Sequence, residues 1–143
     1  MIENILHNGQ LLAIIIRSTH NEPGITFFTP ENFSQQLAFM KHPPGMGISP
    51  HVHNPVQREV IATQEVLFMR KGKIRIDIYD GQRNYLESRI LGDGDVILLA
   101  AGGHGIEVLE DAEIVEVKQG PYTGDRDKTR FAPVDRKLVR VGG

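Results

Sequence analysis

Residues 65–79 alternate with period two. Glu65, Leu67 and Met69 alternate with Val66, Phe68 and Arg70, and after Lys71-Gly72-Lys73 the residues Ile74, Ile76 and Ile78 alternate with Arg75, Asp77 and Tyr79. Successive side chains of a strand point to opposite faces, so each half predicts a strand with an apolar inner face and a solvated outer one. Asp80-Gly81 predicts a hairpin turn and residues 85–91 the returning strand. Gly92-Asp93-Gly94-Asp95 predicts a turn, residues 96–99 a buried strand, and residues 101–103 a loop. His104, Ile106 and Val108 then share one face of the next strand, and residues 110–113 turn into a strand over 114–118. Upstream, the β-branched stretch 11–17 reads as a strand covered on both faces, and residues 35–41 as a strand that stops at His42-Pro43-Pro44-Gly45. Thr29-Pro30-Glu31 predicts a single helical turn.

Fifteen glycines and eight prolines in 143 residues leave no room for long helical stripes. The expected fold is all-β, a sandwich or small barrel of seven or eight short strands. We expect one domain over 1–143, its barrel at roughly 35–119, with a short N-terminal extension and an irregular tail over 120–143 anchored by Phe131. Sixteen basic residues against eighteen acidic give a net charge of −2 without long like-charged blocks, which argues against a nucleic-acid or anionic-membrane partner. Cysteine is absent, so disulfides and thiolate chemistry are excluded. No signal peptide or membrane span is read, and a cytoplasmic protein is expected. A segment apolar on both faces at 11–16 predicts a homodimer joined through the N-terminal strand.

Chemistry enters at His51-Val52-His53. On a strand the two imidazoles point the same way, and on an inward face they are poor core fillers, because their ring nitrogens need partners. They are good ligands for a divalent ion. Together with Glu65 and His104 they form a set of three histidines and a carboxylate that suits zinc, manganese, iron, nickel or copper. His7, His20 and His42 have no spacing relation to this set and are expected at the surface.

Two stretches of the chain resemble the cupin superfamily, small metal-holding jelly-roll barrels. Gly45, five residues, then His51-Val52-His53 matches the opening of the family's first motif, and Glu65, six residues, then Gly72 matches its close. Eleven residues, 54–64, separate the two parts where the family has three or four; Glu59 is the rival carboxylate, but no glycine follows it at the required distance. Gly94, five residues, then Ala100-Ala101-Gly102 follows the second motif with alanine for its proline, and His104 arrives one residue early. The resemblance covers roughly residues 45–108. It implies a cupin-type jelly-roll barrel with one divalent transition metal (Mn, Fe, Ni or Zn) on His51, His53, Glu65 and His104. It further implies an enzyme acting on a small oxygenated metabolite, by isomerase or epimerase chemistry or by dioxygenase chemistry, with Glu65 handling a proton and a link to carbohydrate metabolism. The alternative is a non-catalytic, metal-containing protein that binds a sugar-like molecule.

Overall fold

The computed structural model describes all residues, 1–143. Strands make up 45% of the chain, and the one helical element is a 3-10 turn at Arg136–Leu138, so the fold is all-β. No helix is long and apolar enough to cross a membrane. The chain divides into two compact units, one formed by Met1–His20 and Ala62–Gly143, the other by Asn21–Ile61.

The larger unit is a strongly curled half-barrel sheet. Its strands are β1 (Ile2–His7), β2 (Gln10–Ile16), β5 (Glu65–Tyr79), β6 (Tyr85–Leu91), β7 (Val96–Leu99) and β8 (Gly103–Lys118). β1 and β2 form a hairpin whose two loop residues, Asn8 and Gly9, both have positive φ. That is the turn an Asn-Gly pair favours, because its twist matches that of the flanking strands. The sheet order is β1-β2-β7-β5-β6, and β8 pairs with β5 along nearly its whole length. All pairs are antiparallel.

Lys71-Gly72-Lys73, expected to separate two strands, and 110–113, expected to be a turn, are instead bends inside two continuous strands. β5 is fifteen residues long and β8 sixteen, and their ladder runs through the bend with register shifts between Met69 and Ile74. Such bulges bend a strand and increase its twist without ending it. On one side of the bend β5 pairs with β7, from Glu65 opposite Leu99 to Phe68 opposite Val96; beyond it β5 pairs with β6, from Ile74 opposite Leu91. Gly72 sits at the bend with φ +97°, and a Cβ there would overlap the backbone of Asp111 and Ala112.

The alternation in β5 places Leu67, Met69, Ile74, Ile76 and Ile78 in the core with Ile15, Ile97, Leu99 and Leu91. Burying each of these side chains is worth about 1.5–3 kcal/mol. The N-terminal region is part of the sheet rather than an extension to it. β2 lies between β1 and β7, and Leu12 through Ile15 are at most 1% exposed, so this strand offers no open edge to a second chain.

The outer face of β5 beyond its bend, at Asp77 and Tyr79, is also covered, because the C-terminal segment lies on it. Phe131 packs edge-on against Tyr79 with ring centroids 4.9 Å apart, and Tyr79 Oη accepts a hydrogen bond from Val134 N at 2.9 Å. Asp77 is buried in a polar network: it accepts from Arg75 Nε at 2.8 Å and from Ser88 Oγ at 2.5 Å. Along the open edge of β6, Ser88 N donates to Arg140 O and Gly142 N to Ser88 O, each at 2.8 Å. Buried polar groups must find partners, and here the tail's backbone supplies several of them. His20 also departs from expectation: it is buried, with Nδ1 3.5 Å from the amino group of Met1.

The smaller unit holds a two-stranded antiparallel hairpin, β3 (Gly24–Phe27) with β4 (Ala38–Lys41). β4 is shorter than the expected strand at 35–41. Thr29 opens no helix; its hydroxyl donates to Gln36 Oε1 at 2.7 Å and accepts from Leu37 N at 3.2 Å, holding the connection between the strands.

Replacing Gly72 by alanine forces an L side chain into a left-handed conformation and against backbone that cannot step aside. The expected loss is at least about 2 kcal/mol, read from the midpoint of urea unfolding. A Gly72→Ala protein of unchanged stability would show that the bend does not depend on this residue.

Candidate functional site

His51 and His53 do not lie on a strand. Residues 42–64 contain no strand, and both histidines are exposed. Pro43, Pro44, Pro50 and Pro55 explain this: each removes a backbone donor, and the segment has no period-two alternation to orient a ladder. The two imidazoles still lie side by side, with ring centroids 5.2 Å apart and planes inclined by 75°. His51 Nδ1 is 2.8 Å from the carbonyl oxygen of Ser49. A carbonyl only accepts, so Nδ1 carries the proton, and in the neutral ring the lone pair is left on Nε2. Fixing one ring nitrogen on a backbone carbonyl in this way is how proteins orient a ligating histidine.

Glu65 and His104 meet inside the larger unit. His104 stands opposite Ile78 in the β5–β8 ladder, while Glu65 is at the far end of β5, opposite Lys118. Along a straight strand that separation is roughly 40 Å. In the curled sheet, Glu65 Oε2 is 3.7 Å from His104 Nε2. Neighbouring glycines fix where His104 begins its strand. Gly102 has φ +72° and fits against the carbonyl of Tyr79, and a Cβ on Gly103 would stand 3.0 Å from the Phe131 ring.

Two further groups join this pair. Glu116 faces the same side of the sheet as Glu65, because it is opposite Leu67, and Lys118 is opposite Glu65 itself. Lys118 Nζ is 3.8 Å from Glu116 Oε1. The Glu65 carboxyl, 14% exposed, is held well below its ordinary value of 4.5, at about 2. The His104 imidazole beside it is the largest cause; burial opposes it, and the interaction with Glu116 adds to the lowering. Glu116 moves the other way, raised by that interaction with Glu65, by burial and by the charge of Glu65. The two carboxyls are therefore driven in opposite directions, Glu65 toward the ionised form and Glu116 toward the protonated one.

The four sequence-derived residues thus form two pairs, His51 with His53 and Glu65 with His104, each within one unit. No group of three or more histidine, aspartate or glutamate side chains is arranged to hold a metal ion. Each pair by itself carries donors that suit a divalent ion: a carboxylate kept ionised beside an imidazole in the larger unit, and in the smaller unit two imidazoles, one with its free nitrogen set by a backbone partner. Glu59, the rival carboxylate, is exposed in the proline-containing segment. Glu116 was missed from sequence, since only the register of β8 against β5 reveals that it reaches Glu65.

The Glu65 shift has a definite sign. A carboxyl lowered on folding contributes stability above its unfolded value near 4.5 and loses it as pH falls through about 2. Glu116, being raised, contributes in the opposite sense and loses its contribution as pH rises above 4.5. In His104→Ala the largest cause of the lowering is gone, so the Glu65 carboxyl, followed by carbon NMR, is expected to titrate nearer its ordinary value. An unchanged Glu65 titration in that variant would assign the lowering to Glu116 and Lys118 instead. Compared with protein-family models, curated proteins and solved structures, the chain matches none, and the functional argument rests on its own residues.

Proposed function

We propose that this protein is a metal-dependent enzyme of the cupin type, acting on a small oxygenated metabolite. The observation that carries the reading is the meeting of Glu65 and His104 across the curl of the sheet, with Glu65 kept ionised. A half-barrel that turns one carboxylate and one imidazole inward, with Glu116 beside them, is the setting this chemistry needs. In the proposal, Glu65 and His104 are the larger unit's ligands for one divalent ion, which would supply Lewis-acid or redox chemistry to a chelating substrate, and the His51–His53 pair is the smaller unit's own candidate donor pair. The chain's own contribution is proton handling. Glu65 is ionised near neutrality and so can accept a proton, Glu116 on the same face has its acidity weakened by that charge, and Lys118 favours the charged form of both. This suits enolisation of a hydroxycarbonyl compound, the isomerase or epimerase branch of the reading; the dioxygenase branch uses the same ligands.

Metal analysis of untagged protein tests the proposal. About one equivalent of Mn, Fe, Ni or Zn per chain is expected, with iron favouring the oxygenase branch. Loss of the metal is expected below about pH 6, where histidine takes up a proton. Glu65→Ala/His104→Ala should fold and hold little metal; full occupancy in that double variant would remove this pair from the ligand set, and His51→Ala/His53→Ala tests the smaller unit's pair in the same way. Glu65→Gln is expected to lower turnover by about 10²–10⁴-fold if the carboxylate moves a proton. Sugar binding that survives metal removal, without turnover of any hydroxycarbonyl or catechol, would instead assign the non-catalytic binding role.

A further inference from the structure

On the outer face of the larger unit, two rows of apolar side chains cross four strands. One runs Ile14, Leu98, Val66, Val117, and the other Ile16, Val96, Phe68, Val115, each residue directly opposite the next in the ladders. Their burial falls steadily toward β8. Ile14 and Leu98 are fully buried, whereas Phe68, Val115 and Val117 are 39%, 43% and 55% exposed. Both rows stop at the far edge of β8, which pairs only with β5. A long edge strand with exposed apolar residues is a template for another strand unless charges or bulges block it. The bulges of β8 lie in its middle, opposite residues 69–74, and the run from Ile114 to Lys118 is regular.

We propose that this stretch of β8 pairs antiparallel with the same stretch of a second copy, on a two-fold axis at Val117. Charge selects the occupant and the register. With the axis at Val117, each Glu116 lies opposite the partner's Lys118, twice over, and Val117 meets its counterpart. With the axis at Glu116, two like charges meet, and with it at Val115, Glu116 faces an isoleucine and Glu113 a valine. Opposite charges directly across a ladder stabilise it and like charges destabilise it. The Val117 register also makes the first apolar row continuous through both copies, from Ile14 to its symmetry mate. The other regular stretch of β8, at its N-terminal end, carries one acidic residue, Glu107, and no lysine or arginine to set against it in a second copy. It offers no such complementarity. Glu116 and Lys118, 3.8 Å apart within the chain and beside Glu65, would be shared with the partner, so the interface adjoins the candidate site while requiring no metal there.

Light scattering and sedimentation of the full chain at micromolar concentration are expected to give a dimer. Glu116→Lys or Lys118→Glu alone sets like charges across the axis at two places and is expected to weaken the dimer by about tenfold or more. The double reversal Glu116→Lys/Lys118→Glu restores opposite pairing and should restore the dimer. As a second readout that leaves the charges intact, the chain has no cysteine, so V117C under mild oxidant should give a disulfide-linked dimer without background. I106C, similarly exposed on the same strand but away from the axis, should not. A monomer across the concentration range overturns the proposal. So does a dimer that the double reversal fails to rescue, or cross-linking as efficient through I106C as through V117C.

Discussion

Everything in the larger unit depends on one constraint, that β5 and β8 bend together without separating. A ladder of this length would otherwise be a flat ribbon whose two ends lie far apart. The register shifts between Met69 and Ile74 supply the bend, and Gly72, at φ +97° against the backbone of Asp111 and Ala112, supplies the only kind of residue that fits there. Gly72 N is also tied to Asp93 Oδ1 at 2.6 Å, which joins the bend to the turn preceding β7. Because the bend reverses β5, the same strand pairs with β7 at one end and β6 at the other, and its inward residues enclose a single core.

The electrostatics of the candidate site follow from that bend. Glu65 is mostly buried, which alone would favour its neutral form, and it is ionised because His104 is brought beside it. Glu116, partly covered and next to an existing negative charge, takes the opposite shift. Two carboxyls in one environment are thus driven apart in acidity by their neighbours.

Polar burial is handled differently on the outer side of β5. Arg75 and Asp77 sit where a lone sheet would face water, yet Asp77 is buried, because residues 131–142 lie against this face and the edge of β6. The tail closes one exposed edge with backbone hydrogen bonds at Ser88. The distal edge of β8 has no equivalent cover within the ladder, which is why its apolar rows end in solvent.

The sequence by itself determined what depends on near neighbours. Alternation at 65–79 and 85–91 marked strands and their buried faces, turn residues marked the loops before β6 and β7, and Phe131 stood out as the apolar residue able to anchor a polar tail. β1 was not read from the sequence, its own alternation being weak; the Asn8-Gly9 pair is the local signal that could have found it. Tertiary structure decided what depends on distant partners. Whether Gly72 and residues 110–113 end a strand or bend it is a property of the β5–β8 ladder, since each strand's continuation is stabilised by the other. The fate of His51 and His53 turned on prolines that deny them a strand. That Glu116 and Lys118 join Glu65, that His104 reaches it, and that the apolar stretch at 11–16 is interior rather than an edge are all consequences of register. Register is set by how whole faces pack, and no local stretch of sequence encodes it alone.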